Sequence, residues 1–180
     1  MVTKALKALS RKSPNRRQLI GSIVQLQTET DRSAGIIAVC MLEGELDDAL
    51  SRITEPYMGI DGPRKLFEQI GPSSTFHTKI LAGQALGLFG IKTESDLMII
   101  KDIRNQFAHS RLPLTFAERE ITAAVLSLDI LSRFEIPVPD ATRDKFIKSV
   151  HYIGISLVDS ARYINAYVVL YLSVIVWETT

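Results

Sequence analysis

Within residues 31–53 (DRSAGIIAVCMLEGELDDALSRI) apolar side chains return every three or four positions, at Val39, Leu42, Leu46, Ala49, Leu50 and Ile53. A backbone that turns once per 3.6 residues places all of them on one face, whereas an extended strand scatters them over both. Similar texture recurs along the chain between Gly- and Pro-containing turns, and period-two alternation is weak everywhere except in the C-terminal run. Amphipathic helices joined by short loops must bury their stripes against one another. The expected fold is therefore all-α, a single-domain bundle of about six to seven helices. A chain of 180 residues, 46% apolar, is long enough to enclose one such core and has none of the composition of a collagen, a fibre or a disordered tail.

Turn and capping chemistry marks the helix boundaries. Asp31 is placed to cap the first helix. The run Gly59-Ile60-Asp61-Gly62-Pro63 is a turn, followed by a short helix over residues 64–70. Ser73 and Ser74 are expected to cap a helix over 75–88. Thr93-Glu94-Ser95-Asp96 has the hydroxyl-to-carboxylate spacing of a capping box, which predicts a fourth helix over 95–109. Further helices are expected over 115–134 and 141–163, parted by Ile136-Pro137-Val138-Pro139, where two prolines prevent continuation.

The ends differ from the middle. Residues 1–28 carry Lys4, Lys7, Arg11, Lys12, Arg16 and Arg17 without an acid, leaving 15 basic against 20 acidic residues in the remainder. No apolar stretch follows these charges, so a secretory signal is not expected and a solvated basic arm is. Residues 163–177 (YINAYVVLYLSVIVW) contain no charge. A helix of that length spans about 22 Å against roughly 30 Å of hydrocarbon, so buried core or a subunit-facing surface is expected rather than a membrane span. The organisation read from the sequence is a basic arm with the first helix over 1–28, a helical domain over 29–162, and an apolar segment over 163–180. A single cysteine, Cys40, forms no internal disulfide, which points to a reducing, cytoplasmic setting.

Familiar catalytic motifs are missing. There is no Gly-rich phosphate loop, no His-Glu-x-x-His helix and no Gly-x-Ser-x-Gly elbow. His77, His109 and His151 are far apart in sequence, so neither a metal nor another cofactor is expected. Glu43 and Asp47 lie one helical turn apart, a geometry used in carboxylate metal sites, but without an accompanying Glu-x-x-His they read as a solvated face. Cys40, among Ile36, Ile37, Val39 and Leu42, reads as a small buried hydrophobe.

The fourth helix carries the most information. On a wheel of about 100° per residue Ile99, Ile100, Ile103 and Phe107 share an apolar sector, while Lys101, Asp102, Asn105 and His109 lie opposite. Arg104 flanks the core and stands roughly 140° from His109. The order Arg104, Asn105, His109 is similar to the Arg-x4-6-His signature of the HEPN superfamily, helical domains that include metal-independent RNA-cleaving toxins. That resemblance implies a ribonuclease using Arg104, Asn105 and His109. The chemistry is sound: an imidazole transfers the proton of a ribose 2′-hydroxyl while a guanidinium fork stabilises the phosphorane.

A second resemblance covers residues 31 to about 158. Asp31-Arg32 opening a helix, Phe76-His77-Thr78-Lys79-Ile80 leading into Ala85-Leu86-Gly87-Leu88, Asp96-Leu97, Ile103 to Ser110, Thr115-Phe116, and Arg143-Asp144-Lys145-Phe146-Ile147 together resemble the mannitol operon repressor family. This implies a bacterial transcriptional regulator, a repressor or co-repressor of a sugar or mannitol operon, that works through protein partners and reads no DNA sequence itself. No helix here combines basic and base-reading side chains at major-groove spacing. Asp31, Arg32, Lys79, Arg104, Asn105 and His109 then form a structural or binding motif. Arg104 pairs with Asp31 or another acid, Asn105 satisfies backbone groups, and His109 caps its helix. A homodimer is expected in either case, since the apolar C-terminal run exceeds what a small bundle covers.

Overall fold

The structure, a computed structural model, describes residues 21, 24–59, 61–67 and 75–178, with backbone alone at residue 64 and over 167–178. Among the described residues the helices with set bounds are α1 (Asp31–Met58), α2 (Gly62–Phe67), α3 (Phe76–Ala85), α4 (Ile91–His109), α5 (Arg119–Leu126), α6 (Ile130–Arg133) and α7 (Thr142–Glu178). The described residues contain no strand, and the all-α class holds. Most of the basic arm lies outside the described residues, as do Ser73, Ser74 and the expected end of α2.

The organising contact joins the two longest helices. Asp31 meets Arg143, Leu42 lies beside Gly154, and the carbonyl of Arg52 meets Asn165, a steady offset of 112–113 residues. A constant difference means that α1 and α7 run parallel. Helices α2, α3 and α4 also pack against α1, so its apolar stripe is enclosed from several sides. Leu42, Leu46 and Leu50 of α1, Leu97, Ile100 and Phe107 of α4, and Phe146, Ile153 and Leu157 of α7 are fully buried. Each such side chain contributes roughly 1.5–3 kcal/mol by leaving water. Phe107, Phe116 and Phe146 stack in a tilted series with ring centroids 4.9 and 5.2 Å apart. Gly35 makes room for it, because a Cβ there would stand 2.5 Å from the Phe107 ring.

Several boundaries differ from expectation, each for a tertiary reason. Thr30 caps α1, its Oγ1 accepting the Ser33 N–H at 3.2 Å. Asp31 instead stands inside the first turn and its carboxylate accepts from the Phe116 N–H at 2.9 Å and from Arg143 at 2.7 Å. Thr75 caps α3 in a reciprocal capping box with Thr78. Helix α4 begins earlier than predicted, at Ile91 behind Gly90, with no side-chain cap. The supposed capping box is an anchor for α6: buried Asp96 accepts from the Asp129 N–H at 3.0 Å and from Arg133 at 2.9 Å, and Thr93 accepts from Arg133 at 3.2 Å. The same contact fixes the break at 127–129 that splits the expected helix over 115–134 into α5 and α6. Lys145 then crosses from α7 to donate to the Leu126 carbonyl at the end of α5.

Helix α7 does not stop near residue 163. Its backbone stays helical to Glu178, so the apolar run is helix rather than strand. Tyr163, at the start of that run, is 78% exposed and is not core. Among the described residues no helix is long and apolar enough to cross a membrane.

Candidate functional site

The helical spacing of α1 lines up Cys40, Glu43 and Asp47 on the side that α3 and α4 approach. Lys79 of α3 reaches into this seam, and its Nζ donates to Glu43 Oε1 at 3.1 Å and to Asp47 Oδ2 at 2.8 Å. The lysine is buried, only 5% exposed. Arg104 of α4 comes from the other side and its Nη2 meets the second oxygen of Glu43 at 3.5 Å. Glu43 therefore bridges two cations from two helices. Two acids and two bases meet with no net charge, the condition under which buried ions are tolerated.

The cluster is not fully satisfied. Asp47 Oδ1 and Arg104 Nε are buried without a hydrogen-bond partner among the described residues. Burial pushes the Asp47 carboxyl up from its ordinary value, and the Lys79 hydrogen bond and charge pull it partly back. Cys40 is exposed by surface area, which corrects the expectation of a buried hydrophobe. Partial burial still raises its thiol more than the nearby Arg104 charge lowers it. At neutral pH the sulfur is a protonated thiol, not an activated nucleophile.

Glu43 and Asp47 are thus not simply a solvated face; they hold Lys79. Among the described residues no three His, Cys, Asp or Glu side chains are grouped to hold a metal ion. The sequence supplied Lys79 and Arg104 as candidates but not their common partner. The carboxylates at 43 and 47, four residues apart on the same helix, were the signal for it.

The remaining candidates lie away from this cluster. Asp31 pairs with Arg143, not with Arg104. Arg143 also donates to the carbonyls of Leu26 and Glu29, tying the entry to α1 onto α7. Arg32 donates to the Ala108 carbonyl at 3.1 Å, so the C-terminal end of α4 is capped by Arg32 and not by His109. His109 is the last residue of α4, exposed, and makes no hydrogen bond with the described residues. Asn105 is half-buried and its side chain is likewise without a hydrogen bond among them, contrary to the backbone role expected of it. Because α4 is unbroken through His109, Arg104 and His109 remain roughly 140° apart on its surface. Comparison of the chain with known protein families, with curated proteins and with solved structures returns no match.

Proposed function

We propose that this chain is a non-catalytic helical regulator of the mannitol-operon-repressor type, which acts on transcription through a protein partner and as a homodimer. The observation that carries the proposal is the engagement of Arg104 on Glu43, a carboxylate that also holds the buried Lys79. A guanidinium serving a phosphorane must present its donors outward to substrate. Here one donor faces an internal carboxylate and Nε is enclosed by protein. Arg32 on the Ala108 carbonyl and Asp31 on Arg143 are internal ties of the same kind. Arg32, Asp31, Lys79 and Arg104, engaged inside the subunit in this way, are scaffolding, and a scaffold of this kind displays a surface to a partner.

The metal-independent ribonuclease is the second reading, and one observation favours it: His109 is exposed and unpartnered among the described residues, with Asn105 one turn before it. A second subunit would have to bring an arginine to that imidazole. Single-stranded RNA incubated with the purified protein in the presence of a chelator separates the two. The regulator leaves the RNA intact, and Arg104→Ala lowers its unfolding midpoint. RNA cut under these conditions, with cutting lost in His109→Ala while the circular dichroism spectrum stays native, refutes the regulator proposal.

A further inference from the structure

A cleft opens in the seam between α1 and α7. Leu26, Met41, Leu42, Ile147 and Val150 wall it, and Glu45 and His151 supply its polar groups. Its empty volume is about 330 Å3 with the open side included.

The polar groups in this cleft have no hydrogen-bond partner among the described residues. Glu45 is 6% exposed and makes no hydrogen bond or ion pair with the described residues. His151 Nδ1 is buried and without a partner there as well. Buried polar atoms are nearly always paired, so this orphan nitrogen, on one cleft with a carboxyl group that has no partner among the described residues, calls for a ligand. Gly154 is the third element. It sits inside α7 with an ordinary helical backbone, and a Cβ there would stand 3.8 Å from Glu45 Cγ and 3.9 Å from Leu42 Cδ1. Those are normal contacts. An alanine would fit and would favour the helix, so the glycine is required neither by backbone nor by crowding. What it provides is open space beside the carboxyl group.

The chemistry of the occupant follows from the lining. Burial holds His151 below the ordinary imidazole value, so at neutral pH the ring is uncharged and has one nitrogen lone pair to offer. Glu45 accepts only, in its ionised form, and Asp48 adds negative potential there that Arg52 offsets. An anionic head is repelled. A neutral hydroxyl has one proton for two acceptors. We propose that the α1–α7 cleft binds a primary ammonium on a short apolar body, with N–H groups donating to the Glu45 carboxylate and His151 Nδ1 and hydrocarbon resting on Leu26, Met41, Ile147 and Val150. An ammonium is the size of a water molecule and is small enough to stand between the two polar groups, and the apolar walls receive the rest. The site is independent of the charged cluster under Lys79 and does not rest on the regulator proposal.

Calorimetric titration of the full chain with n-butylammonium chloride, against n-butanol and sodium chloride, tests it. Saturable binding at about millimolar strength is expected for a ligand of this size, with a rise in melting temperature that neither control produces. Glu45→Gln keeps the shape and removes the charge, and should weaken binding by roughly tenfold or more. Gly154→Ala leaves a folded protein with the space filled, and should abolish it. The proposal is overturned by a flat titration into tens of millimolar. Equal binding of n-butanol, or undiminished binding in either variant, overturns it too.

Discussion

At residue 79 the chain buries an ammonium, and the energetics of that choice are testable. Removing Lys79 leaves Glu43 and Asp47 close together in a half-buried seam without their shared cation. Lys79→Met is expected to lower stability in urea by about 3 kcal/mol, because it strands the Asp47 carboxylate while Glu43 keeps Arg104. Adding Asp47→Asn to Lys79→Met removes the stranded charge and should recover most of that loss. If the double variant is no more stable than the single one, Lys79 acts through packing and not through charge. His151 gives a pH dependence. Its folded-state value lies below the ordinary imidazole value, so between the two the unfolded chain binds the proton and the folded chain resists it. Stability from this group is complete above about pH 6.5 and is lost as pH falls below it. Glu45 across the seam is raised by burial and acts in the opposite sense, its contribution fading as pH rises above the ordinary carboxyl range. Comparison of the native chain with His151→Gln isolates the imidazole: between pH 7.5 and 5.5 the native chain should lose stability faster, and parallel profiles would exclude the effect. Glu45 itself was visible in the sequence as an acid on the apolar stripe between Leu42 and Ala49. Its significance was not visible, because nothing local shows that α7 would bring an unpartnered imidazole and a glycine to the same spot.

At the scale of the element, local signals located the helices, and long-range contacts decided where they end. The apolar spacing of residues 31–53 was legible because any helix with that stripe must bury it. Its continuation to Met58 was not, since Pro56 has no N–H for the carbonyl of Arg52 and is expected to end a helix. Asn165 Nδ2 donates to that carbonyl at 3.0 Å, replacing the missing bond from 113 residues away. Asn165→Ala should therefore cost about 1 kcal/mol. Amide exchange should speed up in the last turn of α1 and not in its first. Uniform exchange along α1 would show that the turn after Pro56 stands without α7. Asp96 teaches the same lesson: three residues after a threonine it has the form of a local cap, yet its burial and its bonds to Asp129 and Arg133 make it the anchor of another helix. Spacing alone cannot distinguish a carboxylate that serves its own backbone from one that serves a neighbour.

For the molecule as a whole, the parallel pairing of α1 and α7 leaves one end unmatched. With an offset of 112–113 residues, Met58 at the end of α1 lies level with about residue 170 of α7, which continues to Glu178. At 1.5 Å per residue the last turns of α7 project about 12 Å beyond α1. A helical segment that short does not hold its shape alone in water. The sequence there is uncharged from residue 163 to 177, and Tyr57, Met58 and Tyr163 near that end are 70%, 46% and 78% exposed. A projection uncharged up to Trp177, near exposed Tyr57 and Tyr163, is suited to a second copy, because a two-fold axis through it pairs each projection with its equivalent. Light scattering at micromolar concentration should thus return twice the 20.1 kDa chain mass. Ile175→Lys places a charge in the projection, far from the Phe107–Phe116–Phe146 core, and should give a monomer whose helical content is otherwise native. A native chain that elutes at its single-chain mass, or an Ile175→Lys variant that stays dimeric, would move the subunit contact away from the end of α7.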